Sequence, residues 1–301
     1  MKNLLRLFAI LASGLISAQA FATLNVLTCE PEWAALTNEL GGDKVNAASA
    51  TTALQDPHRI EARPSLIAKA RKADLLVCTG LELETGWLPI LLQQAGNNKI
   101  NAGQPGYFEA GNYVAKRDIP SQLDRSEGDV HAQGNPHIQT SPLSIKQIAP
   151  ALTQRLIEID SANANFYQNR LTDFQSRWNA ALAKWQKQTA PLKGVRIVEH
   201  HKNFEYLWDW LGMTVTGTLE PKPGVEPSAT HLAELTTQLQ SQPAKMVVRA
   251  AYQDEQASLW LSEHAHIPAV TLPFTVGGDA QTTNLFELYE RTISLLLDTN
   301  K

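Results

Sequence analysis

The chain contains little cysteine: Cys29 and Cys78 are the only two in 301 residues. No second close pair accompanies them, so a cysteine-based metal site is not expected. Each cysteine follows a short apolar segment, LNVLT or ADLLV, with the composition of a buried strand. If these strands are neighbours, the cysteines lie at one edge of a sheet and can form a disulfide, and two buried thiols are the alternative.

Long apolar segments are absent after the N-terminal region, so no transmembrane helix is predicted there. Residues 1–22 contain basic Lys2 and Arg6, then an apolar run, then small residues at Ala20 and Ala22. This is the layout of a cleavable secretory signal. The apolar run is shorter than the roughly 20 residues that span a bilayer, which disfavours an uncleaved anchor. We therefore predict export, with cleavage after Ala20 or Ala22.

An excess of positive charge is also lacking. The formal net charge is −4, and loss of Lys2 and Arg6 with the signal takes it to −6. Because no basic stripe or patch stands out, nucleic acid is not an expected partner. The sequence contains no HExxH segment or other recognisable catalytic signature, which argues against a hydrolase.

The remaining chain of about 280 residues exceeds the usual size of one core and favours two domains. Strand-like and helical segments alternate in both halves in the same order, which favours parallel α/β sheets. Similar helix ends, Glu39-Leu40-Gly41 and Trp210-Leu211-Gly212, support a pseudo-repeat. We predict two α/β lobes, residues 23–160 and 191–301, each with a mainly parallel sheet flanked by helices, facing each other across a cleft.

Residues 161–190 are predicted to join the lobes as one long helix. The stretch from Ser161 to Thr189 contains no glycine or proline, and its apolar residues recur at steps of three and four. At 1.5 Å per residue the helix would be roughly 40 Å long. Because nothing in it favours a kink, the helix should be rigid and allow only small lobe movement on ligand binding.

Two other segments complete the prediction of the fold. Residues from Gly103 to Ser141 are rich in Gly, Pro, Asn and Asp and are predicted to form an irregular loop. The closing segment, Asn284 to Asp298, has the apolar pattern of a helix and is predicted to pack on the second lobe.

Three histidines occur at separate loop or strand-end positions: His58 in QDPHR, His137 in GNPHI and His201 at the end of VRIVEHH. Ligands of open parallel sheets bind outside the carboxyl ends of the strands. Neutral imidazole suits zinc and other late divalent ions, and three histidines leave one tetrahedral position for a carboxylate or water. The pattern therefore predicts a metal site between the lobes, although a single histidine beside a proline is more often solvated.

The remaining histidines are weaker candidates. His200 points to the opposite face from His201 and is expected next to the site or at the surface. His131, in GDVHAQG, is interpreted as either an auxiliary ligand or an exposed residue. Three others lie on or near predicted helices away from the cleft and are expected at the surface: His231, His264 and His266.

Three ordered motifs carry a resemblance to a known family. LQDPHRIEARPSLIAKARKADLLVCTGLELE, GNPHIQTSP and VEHHKNFEYLWDWLGM closely resemble segments of the metal-binding solute-binding proteins of ABC transporters, especially the zinc-uptake type. The resemblance covers essentially the whole mature chain. It implies two parallel-sheet lobes, a long rigid helix and an ion in the cleft, and it places the ligands on His58, His137 and His201. His201 is chosen over His200 because it directly precedes Lys-Asn-Phe.

Two features depart from the family. Zinc-uptake members often have a stretch rich in histidine and acidic residues before the second ligand, whereas here His131 is the only histidine in residues 116–135. Capture of extra ions by that loop is therefore not expected. Many relatives have an aspartate ligand at the end of the last strand, but here the segment is LPFTVGGDAQ and Asp279 is several residues displaced. Asp279 is taken as the candidate fourth ligand, with an exposed loop aspartate, water and Glu199 as alternatives.

The resemblance implies a function in metal uptake. We expect a monomeric periplasmic protein that binds zinc and delivers it to an ABC-type permease in the inner membrane. Manganese (Mn²⁺) is less expected because manganese sites prefer oxygen ligands. Catalysis is not expected. The alternatives are a secreted zinc-dependent hydrolase, with Glu199 as its candidate base, and a metal-binding adhesin on the same fold.

Overall fold

Two parallel four-stranded β-sheets, one from each half of the chain, form the framework of the protein. The computed structural model describes residues 23–122, 126 and 128–301. The predicted signal, residues 1–22, lies outside the described residues. Among the helices in the described part of the chain, none is both long and apolar enough to cross a membrane. The predicted α/β class, with parallel sheets flanked by helices, is confirmed.

The first sheet is buried on both faces. Its elements in chain order are β1 Leu24–Thr28, α1 Pro31–Gly41, β2 Val45–Ser49, α2 Pro64–Lys72, β3 Leu75–Cys78, α3 Leu88–Ala95 and β4 Tyr107–Glu109. The strands lie in the order β2-β1-β3-β4, and all pairs are parallel. Successive residues alternate in direction, so Val26 and Val77 pack with α1 while Leu27 and Leu76 pack with α2 and α3.

Two long helices, α4 Pro142–Ile159 and α5 Ala164–Gln188, connect the first sheet to the second half. The predicted helix from Ser161 begins three residues later, because Ser161–Asn163 forms a 3-10 turn. The apolar stripe of α5 is buried along its length, and Trp178 Nε1 donates to the Pro142 carbonyl at 2.9 Å. Burial of this stripe, rather than local propensity alone, stabilises a helix of this length.

The second sheet repeats the topology of the first. Its elements are β5 Arg196–Glu199, α6 Glu205–Leu211, β6 Thr214–Thr218, α7 Ala229–Ser241, β7 Val247–Ala250, α8 Gln256–Ala265 and β8 Ala269–Leu272, followed by α9 Leu285–Thr299. The spatial order is β6-β5-β7-β8, so both sheets follow the order second, first, third, fourth. The internal similarity of the sequence thus reflects a repeated fold, while the exact lobe boundaries stay a prediction.

The final helix, α9, does not pack on the second lobe alone, which corrects the expectation from sequence. Leu288 and Ile293 join the core that contains α1 and α5, whereas Leu296 packs into the core of the second sheet. Tyr289 donates to the Gln139 carbonyl at 2.6 Å. The apolar stripe of α9 is long enough to bridge both cores, so α9 ties the two halves together beside α5.

The segment predicted to be an irregular loop contains one short strand, β4. This strand pairs with β3 at the edge of the first sheet and has only three residues. Gly106 precedes β4 at a point where the backbone of Lys99 comes close. A Cβ atom at Gly106 would lie 2.4 Å from the Lys99 carbonyl oxygen. A strand this short, surrounded by glycine and proline, has no periodic pattern to reveal it.

Cys29 and Cys78 form a disulfide, with their Cα atoms 4.8 Å apart. The bond follows directly from topology, because β1 and β3 are parallel neighbours and each cysteine lies at a strand end. Of the two alternatives left open by the sequence, the structure has the disulfide.

Candidate metal centre

Three histidines from separate parts of the chain meet between the two sheets. The ligand nitrogens of His58, His137 and His201 all lie within 4.8 Å of one another. His58 lies between β2 and α2, His137 shortly precedes α4, and His201 follows β5. Two of the three therefore follow the carboxyl ends of strands, where open parallel sheets bind ligands.

His58 is oriented by its own neighbours. Asp56 Oδ1 accepts hydrogen bonds from the backbone nitrogen of His58 at 3.0 Å and from its ring Nδ1 at 2.7 Å. Burial is the largest single effect and raises the pKa of Asp56, but the hydrogen bonds and charge of His58 and the charge of Arg59 together outweigh it and lower that pKa. Trp87 Nε1 donates to the Pro57 carbonyl at 2.9 Å and fixes the adjoining backbone. Because the carboxylate only accepts, Nδ1 carries the proton and Nε2 keeps a free lone pair.

His137 is almost fully buried, with 1% of its surface exposed. Its Nδ1 lies 2.9 Å from Asn135 Oδ1 and 3.1 Å from the Lys202 carbonyl oxygen, so its support comes from both halves of the chain. Burial lowers the pKa of His137 well below its usual value, and neighbouring His201 and His58 act in the same direction. The ring is therefore neutral, the form that binds metal.

His201 is oriented by a carboxylate just beyond the end of the neighbouring strand β6. Its Nδ1 lies 2.7 Å from Glu220 Oε2, which also accepts from the Gly224 backbone nitrogen at 2.8 Å. The adjacent His200 is buried but lies 4.0 Å from the other oxygen of Glu220 and is outside the group of three. The structure thus places His201, and not His200, in the group with His58 and His137.

The free ring nitrogens fit a metal ion. Nε2 of His58 and Nε2 of His137 are buried and have no hydrogen-bond partner among the described residues. Buried polar atoms without partners are costly and rare. Each of the three Nδ1 atoms faces an oxygen acceptor, which is the arrangement that orients metal-binding histidines. These residues would hold a divalent ion through imidazole nitrogens, with Asp56, Asn135 and Glu220 as orienting partners.

The structure does not bring Asp279, the candidate fourth ligand, into this group. Asp279 Oδ2 instead accepts from Arg291 Nε at 3.0 Å, and its Oδ1 accepts from the Gln281 backbone nitrogen at 2.8 Å. Glu199, an alternative, is fully buried, and its Oε2 accepts from Trp208 Nε1 at 2.9 Å. Both carboxylates therefore have other partners.

His131 lies beside the group, with its ring centroid 5.3 Å from that of His58. It is half-buried, so the interpretation as an exposed residue does not hold. His264 and His266 are exposed as expected, and His231 is half-buried with its Nε2 2.8 Å from the Thr218 carbonyl oxygen.

The histidine motifs alone do not identify the residues that orient the rings, but two signals were available. Asp56 and Asn135 each stand two residues before a ligand histidine, with proline between them, in DPH and NPH. In both cases the side-chain oxygen also accepts from the backbone nitrogen of the histidine. Glu220 follows β6 by two residues and could be found from the rule that sites form at strand ends.

Comparisons with known proteins identify the family of the chain. The model of the family described as "zinc-uptake complex component A periplasmic" matches residues 26–299. The manganese ABC transporter substrate-binding lipoprotein PsaA of Streptococcus pneumoniae is 27% identical over 276 residues, which are 89% of this chain and 86% of that protein.

Two solved structures share the fold at low identity. The crystal structure of ZnuA has a TM-score of 0.76 at 18% identity and covers 93% of this chain and 100% of its own. A mutant of the laminin-binding adhesin Lmb of Streptococcus agalactiae has a TM-score of 0.76 at 18% identity and covers 92% of this chain and 100% of its own. With the family match over nearly the whole chain, the protein belongs to the zinc-uptake complex component A family, the periplasmic metal-binding components of ABC transporters.

Proposed function

We propose that the protein binds zinc as its transported substrate and delivers it to a membrane permease. One observation carries the proposal: the ligand nitrogens of His58, His137 and His201 converge within 4.8 Å, and the other nitrogen of each ring faces an oxygen acceptor. Such a set is oriented before the ion arrives, so little ordering is needed on binding.

Zinc is proposed over manganese on the chemistry of the ligand set. The three converging ligands are all imidazoles, and none of the carboxylates in the described part of the chain belongs to the group. Manganese prefers oxygen ligands and binds a given set of nitrogen ligands less tightly than zinc. Manganese is the second candidate, because the relative PsaA is named a manganese transporter protein.

Calorimetric titration of the metal-stripped protein tests the proposal. We expect tight binding of one zinc ion, weaker binding of manganese, and loss of zinc binding when His58, His137 and His201 are all replaced by alanine. The variant His264→Ala, which removes an exposed histidine, is the control and should bind zinc as the wild type does. Zinc binding that survives the triple replacement would refute this site.

Delivery to a permease and location in the periplasm form a second part of the proposal. Membership of the family and the secretory layout of residues 1–22 support both. Mass spectrometry of the protein from a periplasmic extract should give a chain that starts at residue 21 or 23. Growth under zinc chelation should depend on the gene, and growth that is independent of it would argue against transport.

The hydrolase and adhesin alternatives have less support. Glu199 was the candidate base, but its carboxylate is fully buried against Trp208. Burial also raises the pKa of Glu199 well above its usual value, with Glu205 adding to the effect. The protein resembles the adhesin Lmb in fold only, because the two sequences are 18% identical.

A further inference from the structure

We propose that His131 is the fourth protein ligand of the zinc ion and sets the preference for zinc over manganese. The proposal rests on the proposed zinc-binding function. His131 lies in residues 128–136, called here the cover segment, which runs beside the three-histidine group. Among the described residues no carboxylate lies within that group, so a fourth protein ligand must come from its surroundings.

The ring of His131 lies beside the rings of two of the three grouped histidines, His58 and His137. The centroid of His58 lies 5.3 Å from that of His131, 5.5 Å from that of His137 and 6.1 Å from that of His201. The centroid of His137 lies 6.5 Å from that of His131 and 5.4 Å from that of His201. His131 is therefore as close to His58 as the two other ligands are, and it lies at the edge of the three-histidine group.

The ring of His131 also has the free nitrogen that a ligand needs. Its Nε2 is buried without a hydrogen-bond partner among the described residues, as are the Nε2 atoms of His58 and His137. Three unpartnered imidazole nitrogens in one place carry a desolvation cost that packing does not explain. A shared cation would satisfy all three once the His131 ring has moved towards the other two.

A strained turn holds the cover segment over the site. Ala132, the next residue after His131, donates its backbone N–H to Glu82 Oε2 at 2.5 Å. Glu82 and the preceding Leu81 both have left-handed backbones, with φ of 68° and 53°. This conformation is unfavourable for non-glycine residues and persists where surrounding structure holds it, often at functional sites. In this conformation the Glu82 carboxylate accepts a hydrogen bond from the backbone of Ala132, the residue next to His131.

The second half of the chain holds the cover segment from the other side. Asp129 donates its backbone N–H to the Pro223 carbonyl at 2.8 Å, and Asn135 donates its side-chain amide to the Lys202 carbonyl at 2.9 Å. Between these anchors, Gly134 has φ of 104°, and a Cβ atom there would lie 2.5 Å from the Arg117 carbonyl oxygen. The segment is thus fastened on both sides of His131.

His131 lies outside the set of atoms that are all within 4.8 Å of one another, so it must move inward on zinc binding. Asp279 would have to break its ion pair with Arg291 to take the same position. His131 has no bond of this kind to break, because its Nε2 is free. Movement of the His131 ring is therefore less costly than breaking the Asp279–Arg291 ion pair as a way to complete a tetrahedral site.

A fourth imidazole also determines which metal is preferred. A site with four nitrogen ligands suits zinc, whereas manganese gains little from nitrogen in place of oxygen. We expect His131→Ala to weaken zinc binding by at least about tenfold, the lower end of effects seen for residues that support metal ligands. Manganese binding should stay within about twofold, so the zinc-to-manganese preference falls.

Two measurements on the full mature protein test the proposal. In the first, nuclear magnetic resonance of ¹⁵N-histidine-labelled protein counts the imidazoles that bind zinc. In the second, competition with a chelator gives zinc and manganese affinities for wild type, His131→Ala, Glu82→Ala and the control His264→Ala. Glu82→Ala leaves every ligand in place but releases Ala132, so it should also weaken zinc binding.

Four zinc-bound histidines, with weaker zinc binding in both the His131 and Glu82 variants, is the expected result. Three zinc-bound histidines and unchanged affinity in His131→Ala would overturn the role of His131 while leaving the proposed zinc function intact. Failure of the wild type to bind zinc at all would overturn both.

Discussion

Replacing Glu220 by glutamine should weaken zinc binding although Glu220 does not contact the ion. Glu220 Oε2 accepts from His201 Nδ1 at 2.7 Å and from the Gly224 backbone nitrogen at 2.8 Å. Glutamine is nearly the same size, but it is neutral, so the charge-assisted bond to the imidazole weakens and His201 becomes a poorer ligand. Loss of such orienting partners costs about 10–100-fold in metal affinity, or about 1.4–2.8 kcal/mol.

Competition with a zinc chelator measures this change. Glu226→Gln is the matched control, because it removes the same charge from an exposed position in the same loop. Zinc affinity of the control should stay within about twofold of wild type. Equal weakening in both variants would show that overall charge, rather than the bond to His201, is responsible. No weakening in Glu220→Gln would refute the orienting role.

Three further predictions concern stability and motion. Removal of the disulfide in a Cys29→Ala, Cys78→Ala variant should lower the free energy of unfolding by about 4 kcal/mol, since the bond closes a loop with a sequence separation of 49 residues; a loss below about 1 kcal/mol in guanidinium unfolding would contradict this estimate. Burial raises the pKa of Glu32 from 4.5 to about 7 and that of Glu84 from 4.5 to about 8. The native state therefore holds protons that the unfolded chain releases, and their contribution to stability should be lost as the pH rises from about 4.5 to about 8. Urea unfolding at a series of pH values measures this loss. The free energy of unfolding of Glu32→Gln should fall less steeply with pH than that of the wild type, and an unchanged slope would contradict the raised pKa of Glu32. Solution scattering should show nearly the same radius of gyration with and without zinc, because α9 packs into both cores and also contacts α5; a large change would refute a rigid connection.

The architecture was predictable because it rests on periodicity. Alternating strands and helices, repeated in both halves, specify two parallel sheets, and the stripe along α5 specifies a long helix. The role of α9 was not predictable, because an apolar stripe shows that a helix is packed but not against which core. Strand β4 was not predictable because three residues carry no period.

The candidate site was predictable in part. His58, His137 and His201 stand in recognisable motifs, and the structure brings them together. Asp279 is bonded to Arg291 on α9, 12 residues away in sequence. The sequence alone does not show that these two residues form a pair. His131 lies near His58 in a segment that is bonded to Glu82. No sequence pattern indicates the left-handed backbone of Glu82.

A crystal structure of the zinc-loaded protein, with anomalous data at the zinc edge, tests the central claim most directly. We predict one anomalous peak about 2.0–2.1 Å from a ring nitrogen of each of His58, His137 and His201. A peak at any other position, or a peak bound by Asp279 and His200 without these three residues, would contradict the account.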